Sequence, residues 1–213
     1  MRLDERASAE EVVRELVLAE IDSPRSSRHY AGICLDRDTA AAPLDDEAAC
    51  ARRAEWLRQA RGWPDERLFC RLPADTAWWW VELDGTEAIL CMWYDYFPVV
   101  TGPDRLPRDF AGDDAAVFTR IGRLRDTYQS AAVEKIGQYL CIVNASREHA
   151  LTIAEPGRIV PPCIYVAREE SGPLVILDGH ARAVARSMFV PRPPERALLG
   201  VSPRMGDWKW FGP

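Results

Sequence analysis

The chain has 213 residues, 47% hydrophobic and 28% charged, with a formal net charge of −6. That balance suits a folded domain with a sizeable core and excludes an extended disordered chain, and no apolar run reaches the roughly 20 residues that a membrane-spanning helix needs. The acidic surplus works against non-specific attraction to DNA or to an anionic membrane, so neither is an expected partner.

The opening Met1-Arg2-Leu3-Asp4-Glu5-Arg6 lacks the basic and then greasy character of a secretion signal, which makes the cytoplasm the expected location. Ser8-Ala9-Glu10-Glu11 then has the form of a capping box, in which the serine side chain and the glutamate satisfy each other's free amides. Val12, Val13, Leu16 and Val17 continue it as an amphipathic helix to about Ile21, ended by Ser23-Pro24. Residues 25–43 read as a connection with one short ordered turn. A second helix is predicted from Asp45 or Asp46 to Arg61, with acids at its positive end and Gly62-Trp63-Pro64 stopping it. These elements make residues 1–63 an N-terminal helical segment in front of an α/β (α+β) domain spanning 64–213.

Strand patterns begin at Leu68. Trp78 to Leu83 and Thr86 to Tyr94, joined by Asp84-Gly85, predict a tight hairpin. Trp78, Trp79, Trp80 and Trp93 are read as core in preference to a surface for stacking bases. Asp95 follows, flanked by Tyr94 and Tyr96; burial among aromatics raises a carboxyl pKa, which makes it a candidate catalytic acid or base. Residues 97–114, rich in Pro and Gly, read as a long loop able to act as a lid. Thr119 to Gln138 has helical spacing and Tyr139 to Val143 reads as a buried strand.

Cys163 to Ala167, a turn at Glu169-Glu170-Ser171-Gly172-Pro173, and Leu174 to Leu177 predict a second hairpin. It feeds Asp178-Gly179-His180-Ala181-Arg182 and a helix from about Ala181 to Phe189; Arg196 to Val201 is a last strand. Six scattered cysteines include no C-x-x-C pair, and Cys91, Cys141 and Cys163 are read as small core hydrophobes. Near the end, Trp208, Trp210 and Phe211 are candidate partner contacts.

A strand that turns on glycine into a helix aims free amides and the positive end of the helix dipole at one point, where an anion is favoured. Gly179 lets the backbone approach that anion, and Arg182 and Arg186, four residues apart, lie on one face to close over it. His180, beside the positive end, is kept neutral and suits a donor or general base. Asp178 is a candidate helix cap, magnesium ligand through water, or proton acceptor. Phosphoryl transfer also asks for a carboxylate to orient the attacking hydroxyl, for which Glu155, Asp95, Glu169 and Glu170 are open choices.

The run from Pro162 to Met188, a hairpin, a Gly-x-x-Arg turn at Gly179 and Arg182, then a helix with Ala185 at a small-residue position, resembles the ParB/sulfiredoxin-like superfamily. The resemblance covers about the last third of the chain. It implies a mixed sheet with hairpins and a strand-turn-helix site that cradles nucleotide phosphates through Gly179, His180, Arg182 and Arg186. His180 stands where sulfiredoxins carry their catalytic cysteine, so repair of oxidised cysteine is not implied. The chain ends some thirty residues after Arg182, leaving no room for the DNA-reading module of ParB partition proteins. The histidine after the turn glycine is similar to that of the free-serine-kinase branch, which implies phosphoryl transfer from ATP, or from ADP, with magnesium, to a small hydroxylated metabolite. Two other expectations are kept: a nucleotide-sensing or protein-interaction module without catalysis, and a DNA-associated relative without a reader domain.

Overall fold

A computed structural model describes residues 1–21, 33, 35–61, 72–83, 89–93, 117–120, 160–172, 174–179, 182–183, 186 and 194–208. The expected lid at 97–114, the expected strand at 139–143 and most of the helix expected from Thr119 lie outside them.

Arg2–Ala7 forms strand β1, followed by helix α1 (Ala9–Ile21). The capping box closes as its sequence requires: Ser8 Oγ accepts from the Glu11 amide at 3.1 Å, and Glu11 Oε2 accepts from the Ser8 amide at 2.8 Å. Val12, Val13, Leu16 and Val17 then face the core. The ordered turn expected between residues 25 and 43 is a short helix, α2 (Arg37–Ala41), capped by Asp36, whose carboxylate accepts from the Thr39 amide at 2.7 Å and is held below its usual pKa by that bond. Helix α3 (Glu47–Arg61) starts one residue after Asp46, which caps it through the Ala49 amide at 2.9 Å. Arg53 is fully buried and ties α3 to α2 by donating to the carbonyls of Thr39 and Ala42 at 2.9 and 3.0 Å.

Strands β2 (Ala77–Leu83), β3 (Ile89–Trp93), β4 (Val117–Arg120), β5 (Ile164–Ala167), β6 (Leu174–Asp178) and β7 (Glu195–Val201) join β1 in one mixed sheet of order β1-β2-β7-β5-β6-β3-β4. Helices together with a mixed sheet place the chain in the general α+β class. The hairpin predicted from β5 into β6 is present and antiparallel.

Three expectations are corrected. The strands on either side of Asp84-Gly85 form but do not pair with each other. β2 lies between β1 and β7, matched to β7 over its whole length from Ala77 opposite Val201 to Leu83 opposite Glu195, while β3 pairs with β4 and β6. A turn dipeptide favours a local reversal, but both edges of β2 are taken by partners distant in sequence. Thr119 and Arg120 belong to a strand instead of a helix start, paired opposite Cys91 and Leu90. The N-terminal segment also begins with a strand, which its charged sequence hides from any alternation rule. Backbone pairing to β2, the Arg2–Glu82 ion pair and stacking of Arg6 over Trp79 hold it there.

The central strands β5, β6 and β7 are buried on both faces. Ile164, Val166, Val175, Leu177, Leu198, Trp78 and Trp80 pack with Val12, Val13, Leu16 and Val17 of α1, and with Trp56 and Leu57 of α3, in one core. The alternate positions Tyr165, Ala167, Ile176, Ala197, Leu199 and Val81 are equally closed to solvent on the other face. Trp208 belongs to the first of these cores and is only 1% exposed, so it is not a partner contact; Trp210 and Phe211 lie outside the described residues.

Candidate functional site at the β6 turn

Strand β6 carries Leu174, Val175, Ile176 and Leu177 through the middle of the molecule and ends at Asp178. Gly179 then adopts φ 91°, a conformation that side-chain-bearing residues rarely take. A Cβ there would also stand 2.9 Å from Cys163 Sγ and 3.1 Å from its Cα, so the turn requires glycine twice over. The Ala183 amide donates to the Gly179 carbonyl at 2.8 Å, the first bond of a helical turn that carries Arg182 and Arg186. These arginines sit on the sheet face opposite α1, against Cys163 and Glu195.

Arg182 is only 7% exposed. Its Nη2 donates to Asp178 Oδ2 at 2.8 Å and to the Pro162 carbonyl at 3.2 Å, and its buried Nε has no hydrogen-bond partner. Burial by itself disfavours the charged guanidinium, but the facing Asp178 carboxylate outweighs it and the pKa is raised, so Arg182 stays charged. Asp178 keeps a solvent-facing side, its side chain being 21% exposed.

Behind this pair lies a second polar group. The Cys163 thiol is fully buried, donates weakly to the Gly179 carbonyl at 3.5 Å, and interacts with both the Arg182 guanidinium and the Glu195 carboxylate. Burial pushes its pKa well up and the Glu195 charge adds to that, against the opposing pull of Arg182 and Arg186. Glu195, at the head of β7, is closed to solvent; it accepts from the Tyr165 hydroxyl at 3.2 Å and lies 3.6 Å from Arg186 Nε.

Of the residues picked from the sequence, Asp178, Gly179 and Arg182 meet at this turn, and Arg186 stands four residues on, beside Glu195. His180, Asp95 and Glu155 lie outside the described residues. Glu169 and Glu170 are exposed in the turn that joins β5 to β6, at the far end of the hairpin from Gly179. A five-residue strand separates them from the site by about 15 Å, too far to orient a hydroxyl there, and this corrects their candidacy. Tyr165, Glu195 and the polar role of Cys163 were not read from the sequence. A signal for Glu195 exists: at period two it shares a face with Ala197 and Leu199, which places a carboxylate in line with two core positions.

Among the described residues no group of three or more His, Cys, Asp or Glu side chains is gathered as a metal site would need, and no helix is long and apolar enough to cross a membrane. No family model, curated protein or solved structure matches the chain.

Proposed function

We propose that the β6 turn is a phosphate-binding site, that its ligand is ATP or ADP, and that the protein transfers a phosphoryl group to a small hydroxylated metabolite, on a fold of the ParB/sulfiredoxin-like type. One observation carries the reading: a guanidinium buried beside a glycine turn at the start of a helix, with Nε unspent and its charge paired with a partly exposed aspartate. An incoming phosphate takes the place of Asp178 on Arg182, and the first-turn amides and helix dipole add to the attraction. The released Asp178 carboxylate is then available to accept the proton of an attacking hydroxyl or to hold magnesium through water. Gly179 gives the phosphate room, and His180 completes the set as a neutral donor.

A second reading, a nucleotide-sensing module without catalysis, is favoured by the commitment of the nearby carboxylates. Asp178 is bound to Arg182, and Glu195 is buried beside Arg186.

Thermal-shift titration of the intact chain with ATP, ADP and CTP, each with magnesium, tests the binding half. The preferred nucleotide raises the melting temperature, because a ligand that binds the folded state alone stabilises it, and Arg182→Ala and His180→Ala both weaken the rise. No shift with any nucleotide overturns the reading. Consumption of ATP in the presence of pooled amino acids and other hydroxylated metabolites separates the enzyme from the sensor; binding without consumption selects the sensor.

A further inference from the structure

We propose that Glu195 is the positioning residue of this site: its carboxylate restrains Arg186 directly and Arg182 through the Cys163 thiol, so that the sheet, and not the helix alone, sets the spacing of the two guanidinia. The inference rests on reading the β6 turn as an anion site.

A carboxylate with no exposure to solvent is costly unless it is paired and hydrogen-bonded. Glu195 sits in line with Ala197 and Leu199, both closed to solvent, where an apolar residue would fit the core without that cost. What accompanies it there is polar: the Tyr165 hydroxyl at 3.2 Å from the neighbouring parallel strand β5, Arg186 Nε at 3.6 Å, and the Cys163 thiol. Cys163 in turn interacts with Arg182, so the buried carboxylate touches Arg186 directly and is linked to Arg182 only by way of the thiol. The 3.6 Å approach of Arg186 is a charge contact without a closed hydrogen bond, and Nε of Arg186, like that of Arg182, has no hydrogen-bond partner. Glu195 therefore bears on the guanidinia from the sheet side, Arg182 being held also by Asp178 and the Pro162 carbonyl, and the Nε of each keeps its donor capacity. Tyr165 and Glu195 belong to adjacent paired strands, the most rigid support the fold offers for a group that must hold still.

The test uses the full chain with Glu195→Gln, which keeps shape and an acceptor oxygen while removing charge, and Tyr165→Phe, which removes only the hydroxyl. Titration calorimetry with magnesium ATP and with inorganic pyrophosphate reads affinity, and Nε–H resonances of 15N-labelled protein read the restraint on the arginines without any ligand. Glu195→Gln is expected to weaken both ligands about tenfold or more, as loss of an orienting partner does. Adding Arg186→Ala to it should cost less than Arg186→Ala alone, because the two act as one unit. Ile176→Val, a core change on the same sheet face, lowers stability and leaves affinity unchanged. If the native chain binds and Glu195→Gln binds equally well, the positioning role is overturned while the anion site stands. If the native chain binds neither ligand, the anion reading fails, and the resonances decide the rest: Arg182 and Arg186 signals that both change in Glu195→Gln support the restraint, and unchanged signals overturn it. Should Glu195→Gln not fold, Tyr165→Phe carries the same measurements, with a smaller loss in the same direction expected and no loss overturning the role.

Discussion

The Asp178 carboxylate and the Arg182 guanidinium close on each other at 2.8 Å across one turn of chain, with Gly179 at positive φ between them. This contact latches the end of β6 to the helix that follows, and it occupies one edge of the guanidinium to which the proposed function assigns a phosphate. On that proposal an anion competes with a carboxylate the protein itself supplies.

Asp178→Asn removes that competitor and leaves Arg182 buried without its counter-charge. Breaking a fully buried pair costs about 3–5 kcal/mol; because the Asp178 side chain is 21% exposed, the expected loss is smaller, about 2 kcal/mol after discounting for solvent screening. Urea denaturation measures it. Inorganic pyrophosphate is expected to bind the variant more tightly than the native chain, and weaker binding would count against direct competition.

Gly179→Ala meets two penalties, a φ of 91° and a Cβ 2.9 Å from Cys163 Sγ. Left-handed strain costs about 1–3 kcal/mol, and the contact with buried Cys163 adds to it. The expected outcome in urea is a lowered unfolding midpoint with an unchanged slope, since the unfolded chain is hardly altered. A midpoint equal to that of the native chain would show that the turn relaxes.

Trp208 anchors the C-terminal stretch in the core shared by α1 and the sheet. Trp208→Ala is expected to cost about 3–5 kcal/mol, the range for deleting a buried large aromatic. A mere partner contact would leave the melting temperature of the isolated protein unchanged, so calorimetry distinguishes the two roles.

Cys163 makes stability depend on alkaline pH. Its native pKa lies above the ordinary value of 9.0, so the unfolded thiol ionises first as pH rises. The folded state then holds more protons than the unfolded state, and stability falls with increasing pH. The contribution is present in full below the ordinary thiol range and is lost progressively above it. Unfolding midpoints from pH 7 to 10 should fall more steeply for the native chain than for Cys163→Ala, and parallel slopes would contradict the assignment.

Where bonding is local, the structure follows the sequence closely. Ser8 and Glu11 cap α1 through amides three residues away, Asp46 does the same for α3, and the β5–β6 hairpin closes over a turn of a few residues. The glycine turn, with Asp178, Gly179, Arg182 and Arg186 around it, was legible for the same reason. Its second layer was not, because Tyr165 and Glu195 are thirty residues apart and meet only after β5 and β7 pair.

Periodicity, caps and turn residues thus determined α1, α3, the β5–β6 hairpin and the glycine turn after β6, since those choices depend on neighbours within a helical turn or a hairpin. Tertiary structure alone decided that β2 joins β1 and β7 instead of β3, and that Arg186 approaches Glu195 at the head of β7. Strand edges and buried charges accept whichever partners bring the largest buried and paired surface, and that competition is settled only when distant parts of the chain are packed together.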